Sequence, residues 1–553
     1  MPTGNTNVFV NTVNTFATKN MTFTFSGSVS FLKQFEVIAK ERSRTIFDDW
    51  ILLRKSAVLD LKHTGQQQNS IIQIIEEMSG IISIDIGTSR VKCGLFDEKG
   101  AMSCLESKRL KRTESPDTQD AEEWFAVVCT LLRMVADKAG GDVEAVAMTG
   151  NMHALLGVDA TGMPVAPVRL WSDNHAQRES DELNDRFGKL LLEKYGNSSI
   201  PVFTLPKILQ MKREQPELYG RSVKFLQSKE FIAYRLTGEM VTEPTDASGV
   251  LGMDLVTRQW DGAFFQELGL DVEKMPDIVP SRSICGKVTP EAAAMTGLRT
   301  GTPVVIGCGD LASAALGSGV DDETISLTLG TAGQLLATGA PGDGKKIAGR
   351  LFVFAHADPT RELYLGSVPA GGFALEWFAN LHQLPMEQFF HMAEQGGVDE
   401  NSPVFLPYIL GRGAPSMDYR PAGAWFGLSA ANTLPELCAA AVFGALCPLR
   451  QCADLLEELT WKRKNVMLQA LACREASVRR WACALFHQQK LIPENSEASL
   501  LGAAMLGFTG LGVYSDVRAA LKAMVRSQCV DAPHGRNAEQ AYGRFLERAS
   551  QIA

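Results

Sequence analysis

The sequence predicts an α/β protein, helices layered on sheets, built from two related halves. Three observations carry this. From Ile81 onward, apolar β-branched runs alternate with helical apolar rhythms and turn signals. Two segments far apart in the chain, Ile81 to Phe96 and Thr324 to Leu335, share one grammar: an apolar strand, a Gly-Thr turn, then small residues. The 553 residues allow three to four domains at about 150 residues each.

The first 77 residues read differently from the rest. Between Met1 and Phe31 the only charge is Lys19, and no basic segment precedes an apolar one, so no secretory signal is expected. Phe31 to Glu77 shows a helical rhythm through Phe35, Ile38, Ile46, Trp50, Leu53 and Leu59, then a polar Gln66 to Asn69 break. Residues 1–77 are expected to be an extension, weakly structured or absent from the native protein, with Met78 a candidate natural start. Beyond it, strands are predicted at Ile81 to Ile86, Val143 to Met148, Val304 to Gly307, Thr324 to Leu329 and Val466 to Gln469. Amphipathic helices are predicted at Ala121 to Lys138, His175 to Tyr195, Lys229 to Leu236, Leu434 to Glu458 and Ser499 to Phe508. Pro448 should break the fourth of these. The apolar run Cys438 to Leu449 is shorter than the roughly 18 residues a membrane helix needs, and reads as a buried helix.

Composition narrows the partners. Lys and Arg number 54 against 63 Asp and Glu, a net charge of −9, and no long basic run is present. Nucleic acid and acidic membrane surfaces are disfavoured. The eleven cysteines are odd in number, scattered and without a CxxC pair. They read as reduced thiols of a cytoplasmic protein with no zinc site.

Four motifs carry chemistry. In Asp85-Ile86-Gly87-Thr88-Ser89, Gly87 lets backbone approach a ligand, Thr88 and Ser89 can donate to phosphate oxygens, and Asp85 can hold hydrated Mg²⁺. Alone, the same residues also make an ordinary tight hairpin. In Gly307-Cys308-Gly309-Asp310, a strand turns into a helix whose dipole favours an ionised Asp310, either a general base or a plain N-cap. Gly330-Thr331 repeats the first turn. Met152-His153 and Trp171-Ser172-Asp173-Asn174-His175 place polar groups on loops after strands, which suits a hydroxyl-rich ligand. Metal binding by His153 and His175 lacks a third ligand. A possible base some twenty residues before a second phosphate turn, with a first turn far upstream, is the layout of a phosphotransferase.

Together these motifs resemble the FGGY family of carbohydrate kinases, in its xylulokinase-like and gluconate kinase-like branch. The matching pieces are DIGTSRVK at Asp85, GNMHALLGVD at Gly150, LWSDN at Leu170, YRLTGE at Tyr234 and TDASG at Thr245. They continue with GCGDLASAALGSG at Gly307, LTLGTAGQL at Leu327, FLPYILG at Phe405 and EASLLGAAML at Glu497. The resemblance implies an actin-like, ribonuclease H-like two-domain ATPase fold with the active site in the interdomain cleft. It implies domains at 78–322 and 323–553, the first with the sugar site, first phosphate turn and catalytic aspartate, the second with the nucleotide side. It further implies ATP-dependent phosphorylation of a pentulose such as xylulose, or a related polyol or aldonate. Asp310 would be the general base, Met152, His153 and Asp173 the sugar contacts, Gly87, Thr88, Ser89, Gly330 and Thr331 the phosphate turns, and Asp85 the Mg²⁺-linked carboxylate. A homodimer is one assembly left open.

Several positions depart from the family pattern. His175 stands where Arg is usual, Gly411-Arg412-Gly413-Ala414-Pro415 lacks its acidic residue, and Phe443 replaces Glu. The Gly-Gly pair expected against the nucleotide falls on Cys473 and Arg474, whose side chains would intrude where backbone contact is wanted. Two readings follow: a shifted loop that still binds ATP, or a nucleotide-deficient relative that binds sugar as a sensor or regulator. An actin- or chaperone-like ATPase ranks below both, since it gives no reason for Met152, His153 and Asp173.

Overall fold

The computed structural model describes residues 80–113, 115–140, 143–459, 461–530 and 536–552; the expectations for residues 1–77 lie outside them. The first half is built on a six-stranded sheet of β1 (Gly80–Ile86), β2 (Arg90–Phe96), β3 (Met102–Arg109), β4 (Val143–Gly150), β5 (Ile284–Lys287) and β6 (Pro303–Gly309). Its strand order is β3-β2-β1-β4-β6-β5. The second half carries β7 (Thr324–Leu329), β8 (Gly333–Gly339), β9 (Phe352–Ala355), β10 (Glu362–Val368), β11 (Asn465–Ala470), β12 (Gln489–Pro493) and β13 (Ser527–Val530). Here the order is β9-β10-β8-β7-β11-β12-β13. Apart from the added edge strand β9, the two sheets repeat one pattern: three antiparallel strands, two parallel neighbours, one antiparallel edge. The shared grammar in the sequence is thus a duplicated sheet.

Strand β1 is buried on both faces, which is why it reads as a continuous apolar run rather than an alternation. Ile82, Ile84 and Ile86 meet Trp124 and Val128 of helix α1 (Ala121–Lys138), while Ile81 joins a separate core with Leu500 and Ala504. Helix α1 starts where Asp120 accepts from the Glu122 amide at 2.9 Å.

Helices next in the chain are α2 (Gln177–Tyr195), α3 (Thr204–Glu214), α4 (Ser228–Thr237), α5 (Pro244–Val250) and α6 (Asp310–Gly317). The second half adds α7 (Gly371–Leu381), α8 (Leu434–Glu458), α9 (Leu471–Arg474) and α10 (Ala498–Gly510). Helix α8 runs through Pro448 without the predicted break. Burial of 17 of its 25 residues, all those from Cys438 to Arg450 among them, holds it, and the Cys447 thiol donates to the Phe443 carbonyl at 3.2 Å. By length and composition α8 could cross a membrane, but 89% of its most apolar stretch is buried inside the protein, so it is a core helix.

Helix α10 comes from the second half yet packs on the first sheet, and crosses α6 at backbone distance. A Cβ on Gly317 would lie 1.9 Å from the Ala498 oxygen, and one on Gly502 2.0 Å from the Ser313 oxygen. Ser313 Oγ donates to Ser499 O at 2.6 Å in the same crossing. The edge strand β9 makes a second tie: Asn197 pairs with both the N–H (3.0 Å) and C=O (2.7 Å) of Val353, and Ser248 Oγ accepts from the Ala355 amide at 3.1 Å. Gly502→Val should therefore lower unfolding free energy by about 1–3 kcal/mol or more, because the crossing has no room for side chains. Urea titration measures this, and an unchanged midpoint would refute the close crossing.

Candidate active site

Parallel register brings the scattered motifs together. Asp85 on β1 and Cys308 on β6 both pair with Thr149 of β4, and Ile86 and Gly309 both pair with Gly150. Gly87, Met152 and Asp310 therefore leave three adjacent strands at one level, the carboxyl edge where open α/β sheets bind ligands. A bulge in β6 makes this possible. Gly307 sits at φ +69°, where a Cβ would overlap the Met148 oxygen, 1.6 Å away. In the second half, Leu329 pairs with Ala470, so the Gly330-Thr331 turn and α9 leave neighbouring strands together.

Asp310 opens α6. Its Oδ1 accepts from the Leu311 amide at 2.8 Å, leaving Oδ2 free. Burial, then the neighbouring Asp85 and Asp246 carboxylates, push its pKa up to about 8 against that hydrogen bond. Asp85 is likewise raised to about 6, by burial and Glu497 against the opposing charge of Lys92; Lys92 itself pairs with Glu497 at 2.6 Å.

His153 is held at φ +64°, uncommon for a non-glycine residue. Its Nδ1 lies 2.8 Å from the Gly249 oxygen, and burial, aided by Lys207, lowers its pKa to about 4 despite that bond. The ring is therefore neutral at pH 7. Because Nδ1 must donate to the carbonyl, Nε2 is left as an acceptor. Gly249 is required here: a Cβ would lie 2.9 Å from the ring. Phe203 and, from β9, Phe354 flank the imidazole at 5.0 and 5.8 Å. Met152 is buried beneath, touching the Cβ positions of Gly249 and Gly309.

Asp173 is nearly fully engaged within its own loop. Its Oδ2 pairs with Arg169, and its Oδ1 accepts from the His175 amide (2.9 Å) and lies 2.8 Å from His175 Nδ1. Burial opposes its charge, but these hydrogen bonds prevail and hold it at about 2. Trp171, half exposed, donates from Nε1 to Thr88 Oγ1 at 2.8 Å, joining this loop to the first phosphate turn. That turn is closed by Gly87 N donating to Arg90 O at 3.0 Å, with Thr88 and Ser89 at its tip. The second closes through Gly330 N to Ala332 O (3.0 Å), and the first amides of α7 donate to Gly330 O (2.7 Å) and Thr331 O (3.0 Å). Cys473 is half-buried, its carbonyl accepting from Arg479 at 2.6 Å, and Arg474 is exposed; the predicted glycine positions form a helical turn, α9, after Ala470 at φ +53°.

A buried charge cluster behind Asp310 was not singled out by the sequence. Lys229 of α4 lies 2.8 Å from Asp246 Oδ2 and 3.3 Å from Glu243 Oε1, all three side chains fully buried. Burial opposes the Lys229 charge, but Asp246, Glu243 and Glu230 outweigh it and push its pKa up. Thr245 donates to Glu243 (2.5 Å) and accepts from the Gly309 amide (2.8 Å), so the cluster grips the peptide entering Asp310. TDASG at Thr245 was the only hint, as a motif without a role. Among the described residues no group of three or more His, Cys, Asp or Glu gathers as a ready metal cage.

Comparison with known proteins identifies the family. Residues 80–317 match the FGGY family of carbohydrate kinases, N-terminal domain, and residues 326–511 its C-terminal domain. Xylulose kinase of Escherichia coli K12 is 30% identical over 414 residues, covering 74% of this chain and 85% of that one. The chain belongs to the FGGY family of carbohydrate kinases. Other FGGY relatives include a xylulose kinase of Lactococcus lactis (29% identity; 81% and 91% covered) and a gluconokinase of Bacillus licheniformis (26%; 78% and 88%). The fold matches a ligand-bound xylulose kinase from Lactobacillus acidophilus (TM-score 0.79, 23% identity, 86% and 98% covered). It also matches Plasmodium falciparum glycerol kinase with ADP (TM-score 0.77, 17% identity, 86% and 98% covered). The expected actin-like FGGY fold and carbohydrate kinase class are those of this chain.

Lys229→Met should cost about 3–5 kcal/mol, because it strands buried carboxylates without their cation. Denaturant unfolding checks this; a loss below 1 kcal/mol would mean the carboxylates are neutral without it.

Proposed function

We propose that this kinase transfers the γ-phosphoryl group of ATP to a hydroxyl of a linear pentulose such as xylulose, or of a related polyol or aldonate. The observation that carries this reading is Asp310 at the common edge of three parallel strands, with an unpaired oxygen beside the His153 loop. Asp310 Oδ2 takes the proton of the acceptor hydroxyl as its oxygen attacks the γ-phosphorus, and ADP leaves. Positioning and charge neutralisation supply most of the acceleration, the base adding about 10²- to 10⁴-fold. Neutral His153 accepts a sugar hydroxyl at Nε2, while Asp173, its oxygens mostly spent, orders the loop around Trp171.

The two turns hold the phosphates. Gly330 supports this: apart from its chain neighbours, nothing among the described residues lies closer than 3.7 Å to a Cβ built there, so packing does not demand its glycine. Asp85 and Asp310, both raised by burial, Asp310 also by Asp85, and neither ion-paired among the described residues, fit a Mg²⁺ that arrives with nucleotide phosphates and keeps several waters. Bound there, Mg²⁺ would neutralise charge developing on the transferred group. We assign residues 78–322 and 323–553 to the two domains and the protein to the cytoplasm.

ADP release against a panel of ketoses, polyols and aldonates tests the reading, with Asp310→Ala expected to lose at least about 100-fold in kcat. Activity surviving in that variant would remove Asp310 as base. The base must be ionised and its pKa is raised, so kcat/KM should climb with pH toward about 8 rather than level off near pH 5. A second reading, a sugar-binding relative deficient in nucleotide, rests on the side chains of Cys473 and Arg474. Calorimetry with ATP and Mg²⁺ separates the two: micromolar to sub-millimolar binding counts against the second reading, and no binding against the first.

A further inference from the structure

Helix α3 contributes none of the motif residues, yet one of its faces touches both loops of the acceptor site. Phe203, at its N-cap, lies edge-on to the His153 ring. Thr204 Oγ1 donates to Ala154 O at 3.2 Å. Lys207 Nζ donates to His153 O at 2.9 Å and to Leu170 O at 2.5 Å. Gln210 accepts from Arg169 Nη2 at 2.6 Å and donates to His175 O at 3.3 Å. Positions 203, 207 and 210 follow the spacing of a single helical face. The two loops also meet directly, Leu155 and Arg169 exchanging backbone hydrogen bonds of 2.8 and 3.1 Å.

Lys207 is fully buried. Its partners are carbonyls, one from each loop. A buried ammonium held by carbonyls alone is costly, and its charge-assisted bonds are correspondingly strong. We propose that Lys207 is a positioning residue, a pin that fixes the Met152-His153 loop relative to the Trp171-Asp173 loop and thereby sets sugar affinity without touching sugar. The bond to its carbonyl also restrains His153 at its left-handed φ. The pin rests on the reading above, in which these loops form the sugar site.

The electrostatics give the pin a pH dependence. Burial lowers the Lys207 pKa to about 7; Asp173 and Asp117 oppose this and Arg169 adds to it. His153 faces Lys207 as a neutral ring, and His175 pairs with Asp173. Because the shift is downward, the charge is present below about pH 7 and is lost as pH rises. Both bonds then weaken, and affinity for sugar falls.

The test measures KM for xylulose and for ATP from pH 6 to 9 in the wild type, Lys207→Met and Lys207→Arg. Lys207→Met should raise the xylulose KM about tenfold or more while the ATP KM stays within about twofold. The wild-type xylulose KM should rise with pH, and Lys207→Arg, permanently charged, should flatten that rise. An unchanged xylulose KM, or equal rises for both substrates, would overturn the pin. Amide hydrogen exchange supplies a readout free of substrate: Lys207→Met should speed exchange at Leu155 and Arg169 together, and undiminished protection would overturn the pin whatever the activity. If Lys207→Met does not fold, Gln210→Leu takes its place in both measurements with the same expected directions. A wild type that phosphorylates no sugar, with loops still loosened in Lys207→Met, would instead sink the sugar-site reading.

Discussion

The parallel pairing of β1, β4 and β6 is the constraint on which the rest depends. Their common register ends three strands at one level, so residues 85, 152 and 310 meet without any direct sequence relation between them. The same convergence gathers like charges. Burial raises Asp85, Asp246 and Asp310, and the first two add to the rise at Asp310, an arrangement that folding alone would select against. Lys229 compensates behind Asp310, while Lys92, the cation acting on Asp85, is itself paired with Glu497. A site built this way carries an excess of buried acid, in keeping with the proposal of a ligand that brings phosphate and a divalent cation.

Much of this was legible in the sequence because it depends on short-range grammar. The β1 hairpin, the Gly307 to Asp310 turn and the α1 span are each set by residues a few positions apart. The predicted duplication was visible for the same reason, since each half opens with a strand and a Gly-Thr turn. What stayed hidden depends on tertiary neighbours. Lys229 reads as the polar start of a predicted amphipathic helix and Lys207 falls in no predicted element, and only the packed structure shows both fully buried. Pro448 failed as a breaker because helix α8 is held by its surroundings more than by local propensity.

The departures from the family pattern have local physical answers. His175, in the place of an arginine, still donates to Asp173 from its backbone amide, and Arg169 on the preceding strand provides the guanidinium. In this chain the fixed positive charge on that carboxylate comes from Arg169. Phe443, replacing an acid, is buried and packs edge-on to Trp481 at 5.6 Å, so it belongs to the apolar core. At Cys473 and Arg474 the chain winds into a turn of helix, with the Arg474 side chain exposed. Side chains there bring bulk to the C-terminal end of β11, while the Gly330 turn on the adjoining strand keeps its open backbone.

The acid-base roles proposed for the site follow from how differently burial acts on its groups. Burial removes the charge of His153 at neutral pH and raises Asp310 toward the pH at which it would work. The first becomes a hydrogen-bond partner that does not compete for the proton; the second becomes a stronger base than an exposed aspartate. Asp173 goes the other way because hydrogen bonds outweigh its burial, and it stays an anion that orders a loop. Two of these polar residues follow parallel strands of the first sheet and Asp173 follows a short neighbouring strand, so their roles come from immediate surroundings: the Gly249 carbonyl, the Leu311 amide and the Arg169 guanidinium. Substitutions in those surroundings alter the chemistry as directly as substitutions of the three residues themselves.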